Sequence, residues 1–247
     1  MIRHIRLTAL LSACLLAITA WSVNPYPQLR DRAQRAFDHE EWASASALLD
    51  LMLEEKPTIA DTYGQAIVAN AMRNDTTAQM RLMQKALDNY IPFDSVFSRV
   101  RQWSFSLGKT HLLERFLKDT RSHYPWLQRT INGYLLKYYT FRRNGQEMVV
   151  YSNIMLSRAP ENAEFLTSLA EGYMLLGMEN NGVETYCRIL DSDPDNLNAL
   201  LSLGNLYADR PDTESHILAV RYLERAYALH ATPYVAARLR QLGGAGY

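Results

Sequence analysis

The stretch that decides the fold runs from Ala163 to Asn196 and reads AEFLTSLAEGYMLLGMENNGVETYCRILDSDPDN. Leu166, Leu169, Ala170 and Tyr173 stand at i, i+3, i+4 and i+7, the spacing of one apolar stripe on a helix. A turn is expected from Gly177 to Gly182, around Glu179-Asn180-Asn181. Val183, Tyr186, Cys187 and Leu190 then mark a second helix, which Asp191-Ser192-Asp193-Pro194 stops. Small Ala170 suits a close helix–helix approach, and Tyr173 would fill the gap beside it. The segment therefore predicts a helical hairpin.

Working outward, the same plan recurs. Pro57, Pro92, Pro125, Pro160 and Pro194 are separated by 35, 33, 35 and 34 residues. Proline has no backbone N–H and cannot continue a helix, so a proline ladder of this period marks repeated hairpins. The unit after Pro194 carries Leu200, Leu203, Gly204 and Tyr207, then Ala219, Leu223 and Ala226. Its turn, Asp209 to Ser215, is longer, so the next boundary proline is Pro233. Tyr234 to Leu242 read as a last amphipathic helix ended by Gly243-Gly244, which would cover the final repeat.

Leu200-x-x-Leu203-Gly204-x-x-Tyr207 followed by Ala219-x-x-x-Leu223 resembles the tetratricopeptide repeat, with leucine in place of the usual tryptophan. Leu166-x-x-Leu169-Ala170-x-x-Tyr173 with Tyr186 and Pro194 is similar. Earlier units match by period and apolar spacing: Ala33, Phe37, Trp42, Ala45 and Leu49; Tyr63, Ala66, Met83 and Ala86; Phe97, Gly108, Leu113 and Leu117; Leu135, Tyr139 and Met155. The resemblance implies an all-α fold, a right-handed superhelical solenoid of helix-turn-helix repeats with a C-terminal capping helix. About six repeats are expected, at 26–59, 60–93, 94–128, 129–162, 163–196 and 197–233, with the cap at 234–242.

The chain has 247 residues, 48% of them hydrophobic, enough for a folded core and too apolar for disorder. Residues 1–22 read as an export signal: Arg3 and Arg6 precede an uncharged run from Leu7 to Val23. Cleavage after about Ala20 or Ser22, a retained anchor, or lipidation at Cys14 within Leu11-Ser12-Ala13-Cys14 are the three outcomes. Export predicts a periplasmic or envelope-associated protein. Once the signal is removed, Cys187 is the single cysteine, expected as a buried thiol with no disulfide.

Catalytic and ligand motifs are lacking. Gly108-Lys109-Thr110 has Trp103 where a phosphate loop needs glycine, and His39-Glu40-Glu41-Trp42 lacks a second histidine. No enzyme, metal or cofactor is expected. The informative feature is charge. The formal net charge is zero, yet Ser95 to Arg143 carries ten basic and two acidic residues. The flanks are acidic, at −4 over residues 23–94 and −6 over 144–247. The same centre holds Phe97, Trp103, Phe105, Phe116, Tyr124, Trp126, Tyr134, Tyr138, Tyr139 and Phe141.

The resemblance also implies that the first helix of each hairpin lines a concave groove. Counting faces from Leu135 and Tyr139 puts Lys137 and Phe141 there, and the same count gives Gln102, Phe105, Glu171 and Asn205. Arg142 and Arg143 extend the set. The family's clamp for acidic C-terminal peptides needs paired lysines and asparagines, and Asn205 and Lys137 fall in different repeats, so that activity is not expected. The reading is a non-catalytic scaffold in the cell envelope that binds a segment of a protein partner, with the basic–aromatic centre favouring an acidic one. The alternative is a carbohydrate-binding module that stacks sugars on Trp103, Trp126 and the tyrosines. An export signal argues against nucleic acid.

Overall fold

A computed structural model describes residues 26–243, and among these every regular element is helical. The signal, its cleavage site and Cys14 lie outside the described residues. Thirteen α-helices follow in chain order: α1 (Tyr26–Asp38), α2 (Trp42–Glu55), α3 (Ala60–Met72), α4 (Thr76–Asp88), α5 (Phe93–Ser106), α6 (His111–His123), α7 (Gln128–Arg142), α8 (Gly145–Leu156), α9 (Ala163–Leu175), α10 (Glu179–Ser192), α11 (Leu197–Ala208), α12 (Thr213–Leu229) and α13 (Pro233–Gln241). They form six hairpins, α1–α2 through α11–α12, and one terminal helix. No described helix is long and apolar enough to cross a membrane.

The chain divides into two compact units, the first ending at His123 and the second beginning at Tyr124. In the first, α1 packs on α2, α2 on α3, and α3 on both α4 and α5. In the second, a short 3₁₀ turn at Pro125–Leu127 leads into α7, and the contacts run α7–α8, α8–α9, α9–α10, α10–α11, α11–α12 and α12–α13. Each hairpin thus buries its apolar stripe against itself and against the next hairpin in its unit. This nearest-neighbour packing of helix pairs is the tetratricopeptide-like fold.

The core residues follow the stripes. Leu166, Leu169, Ala170, Tyr186 and Ile189 are buried, with Tyr173 and Cys187 packed against them. Phe37, Leu49, Tyr63, Phe97, Phe116 and Leu135 are fully buried in their own hairpins. Contact between α3 and α5 depends on Gly64. A Cβ there would stand 2.4 Å from Arg99 Cβ and 2.9 Å from the Arg99 carbonyl carbon. No side chain fits without moving the helices apart.

One expectation needs correction. The turn after α9 is shorter than Gly177 to Gly182, because α10 already begins at Glu179. Gly182 lies inside that helix, where a Cβ would meet Met174 Sδ at 2.6 Å. Its lack of a side chain serves the α9–α10 contact, not a turn.

The turns themselves share a backbone conformation. Glu40, Asn74, Gly108, Arg143 and Gly177 all have φ between 52° and 72°. They are 34 or 35 residues apart, and each lies between the two helices of its hairpin. Only glycine adopts this left-handed region without a Cβ penalty, and asparagine tolerates it. Among the described residues six helix starts are capped by a side chain, two of them directly after these turns. Asp75, Asn144, Asn162, Asn196, Asp212 and Thr232 each accept the N–H three residues on, at 2.8–3.3 Å. Each such cap stabilises its helix by ~1 kcal/mol.

Candidate partner-binding face

In the second unit the expected face is built on α7. Ile131, Leu135, Leu136, Tyr138 and Tyr139 turn inward and are buried. Tyr139 stacks on Tyr151 of α8 at 5.4 Å between ring centroids. That orientation leaves Lys137 and Phe141 exposed on the other side, while Arg142 and Arg143 are exposed at the C-terminal end of the helix. Phe141 is 62% exposed, a large apolar group held in water one helical turn from Lys137. Arg143 ends the helix in the left-handed conformation, its N–H donating to the Thr140 carbonyl at 3.1 Å.

The neighbouring first helix, α9, supplies acids. Glu164 Oε1 lies 3.9 Å from Lys137 Nζ, with both side chains well exposed, so this pair contributes little. Glu171 is half-buried, and desolvation raises its pKa while the Arg143 charge pulls it down. Burial likewise raises the Tyr186 pKa, against a hydrogen bond with Ser202, and the nearby Glu171 charge adds to the rise. Asn205 on α11 accepts from Tyr234 Oη at 2.9 Å and from Arg238 Nε at 3.3 Å. Its amide oxygen therefore ties the terminal helix down.

In the first unit, Gln102 is exposed and accepts from Arg99 at 2.8 Å. Phe105 is half-buried, with the Arg101 guanidinium 5.6 Å from its ring centre. The structure thus puts Lys137 and Phe141 on one exposed face of α7 and Arg142 and Arg143 at its C-terminal end, with Glu171 near Arg143. Gln102 and Phe105 belong to a separate unit.

The central cations divide in the same way. Arg115 donates to Asn74 Oδ1 at 2.8 Å and to the Ala71 carbonyl, Lys118 pairs with Glu114 at 2.7 Å, and Lys109 lies over the Trp42 ring. The Arg115 and Lys109 contacts join elements of the first unit, and the Lys118–Glu114 pair lies within α6. The central aromatics divide too: Phe97, Phe116, Tyr124, Tyr138 and Tyr139 are core, while Trp126 and Phe141 are exposed. Trp103 packs on Phe37 at 5.1 Å and donates its indole N–H to Asp61 at 3.1 Å, so its ring is taken up in structure.

Cys187 is half-buried; burial pushes its thiol pKa up, against a hydrogen bond with Tyr222. Among the described residues no group of three or more His, Cys, Asp or Glu side chains is placed to hold a metal ion. Sequence reasoning missed Glu164 as the partner of Lys137. It also missed the cleft beside Trp126 described below, because its walls come from three separate segments.

The chain's architecture defines a helical-hairpin repeat protein. No family model matches it, and no curated protein does. Among solved structures it is similar to "MamA RS-1 ArsTM double mutant", at 14% identity and a TM-score of 0.40, over 83% of this chain and 94% of that one. It is also similar to the APC/C hetero-tetramer Cut9–Hcn1, at 13% identity and a TM-score of 0.48, over 92% of this chain and 45% of that one. The complex of the TPR2AB domain of yeast Sti1 with pHSP90 is similar at 17% identity and a TM-score of 0.38, over 91% of this chain and 86% of that one.

Proposed function

We propose that this chain is a non-catalytic scaffold of the cell envelope that holds an acidic segment of a partner protein against the exposed face of α7. The observation that carries the reading is Phe141, 62% exposed, with Lys137 one helical turn before it on the same face and Arg142 and Arg143 following it at the helix end. A large apolar group amid cations offers both halves of a binding anchor, desolvation and charge attraction. Lys137, Arg142 and Arg143, cations of the basic central segment that lie in the second unit, support the same partner chemistry. Export of the chain rests on the basic and then apolar start at Arg3 to Val23.

The saccharide reading keeps Trp126 but not Trp103, whose ring and N–H are engaged. The test is tagged co-purification from solubilised envelope at low and raised salt. It compares the natural chain with a variant carrying Lys137→Glu, Arg142→Glu and Arg143→Glu. The expected result is one or two proteins in near-equal amount, lost with salt and lost in the variant. Unchanged recovery by the variant would remove the electrostatic part, and saccharide without protein would favour the alternative.

A further inference from the structure

We infer that the fourth hairpin, α7–α8, carries a second binding site at the end opposite Arg143. It is a cleft that takes an apolar side chain flanked by carboxylates, from an acidic peptide segment of a partner protein. The cleft measures about 260 Å³ and lies among Trp126, Arg129, Ile154, Met155, Arg158 and Phe165. Three segments build it: the 3₁₀ turn and first turn of α7, the end of α8, and the start of α9. Arg129 and Phe141 are twelve residues apart on one helix, so roughly 18 Å separates this cleft from the α7 face.

Its chemistry is asymmetric. Trp126 is 65% exposed at the rim, and Ile154, Met155 and Phe165 supply apolar wall. Arg129 and Arg158 are exposed and make no ion pair or side-chain hydrogen bond among the described residues. Among the described residues no carboxylate lines the cleft. Two unpaired guanidinium groups beside an apolar wall complement an anion joined to an apolar group. A simple anion would leave the wall wet, and a neutral apolar group would leave both charges unanswered. The volume is below the ~300–1,000 Å³ of pockets that enclose whole small molecules, so it fits a side chain of a longer segment.

The test follows the indole N–H of Trp126 in proton–nitrogen spectra of the full chain, its line identified with Trp126→Phe. Acetyl-Glu-Phe-Glu-amide is titrated against acetyl-Lys-Phe-Lys-amide. The acidic peptide is expected to move the Trp126 line saturably and the basic one not. Arg129→Glu with Arg158→Glu is expected to weaken binding by roughly tenfold, since each exposed pair is worth a factor of a few. Lys137→Glu and Phe141→Ala should leave it unchanged, which separates this site from the α7 face.

Equal shifts with both peptides, or none up to about 10 mM, would overturn the proposal. So would the same shift from inorganic phosphate (a simple anion site) or from an uncharged chito-oligosaccharide (a sugar site). Concentration-dependent dimerisation abolished by Trp126→Phe would assign the cleft to a second copy of this chain and also overturn it.

Discussion

The left-handed turn positions allow a stability prediction with few competing contributions. A Cβ placed on Gly177 would meet nothing within 4 Å, so Gly177→Ala changes the backbone and little else. Forcing an L side chain into this region costs about 1–2 kcal/mol. Alanine also narrows the unfolded ensemble, which returns about 0.4–1 kcal/mol. The net expected loss is about 0.5–1 kcal/mol. Glu40 has the same conformation at φ 58° and is exposed, so Glu40→Gly runs the comparison in reverse and should gain about 0.5 kcal/mol. Gly177→Asn should lose less than half of what alanine loses, because asparagine tolerates this region. Urea unfolding followed by circular dichroism, with each midpoint and slope, measures all three. If Gly177→Asn costs as much as Gly177→Ala, or if Glu40→Gly is destabilising, the backbone argument is refuted.

Gly64→Ala should be more severe, about 1–3 kcal/mol or more, because its Cβ would clash with the Arg99 backbone where α3 meets α5; urea unfolding reads the loss. Glu171 should make stability pH-dependent. Its pKa is raised in the folded chain, so its contribution is present in full below about 4.5 and is lost as pH rises through the raised value. Glu171→Gln should therefore gain on the natural chain between acid and neutral pH, and unfolding at both ends of that range checks the sign. Asn205→Ala removes the acceptor for Tyr234 and Arg238 and should weaken α13 docking by about 1–2 kcal/mol. Hydrogen exchange should speed up in α13 and stay unchanged in α9.

The fold was legible where local chemistry repeats. The proline ladder and the Leu166/Leu169/Ala170/Tyr173 stripe announced helix pairs because helix termination and helical periodicity are both written in neighbouring residues. The turn column was hidden. Glu40 and Arg143 occupy positions whose φ favours glycine, so composition gives no sign of them. Gly182 misled for the opposite reason, since its glycine answers a contact with Met174 and not a turn.

The candidate site was half legible. Period counting from Leu135 and Tyr139 put Lys137 and Phe141 on a groove-lining face; the structure shows both exposed on α7, away from Leu135 and Tyr139. The same counting could not show that Asn205 would be engaged by Tyr234, about thirty residues away, as a long-range hydrogen bond leaves no local pattern. Nor could it show which central aromatics are core, because interleaved rings and cations look alike in sequence whether they fill gaps or face water.

The most direct test of the central claim is site-specific photo-cross-linking in living cells, with a photoreactive phenylalanine at position 141 and a control at Val150 on the exposed side of α8. The account predicts that position 141 captures one or two proteins, that position 150 does not, and that Lys137→Glu with Arg143→Glu abolishes the capture. Capture of the same proteins from both positions, or capture that survives the charge reversal, would contradict it.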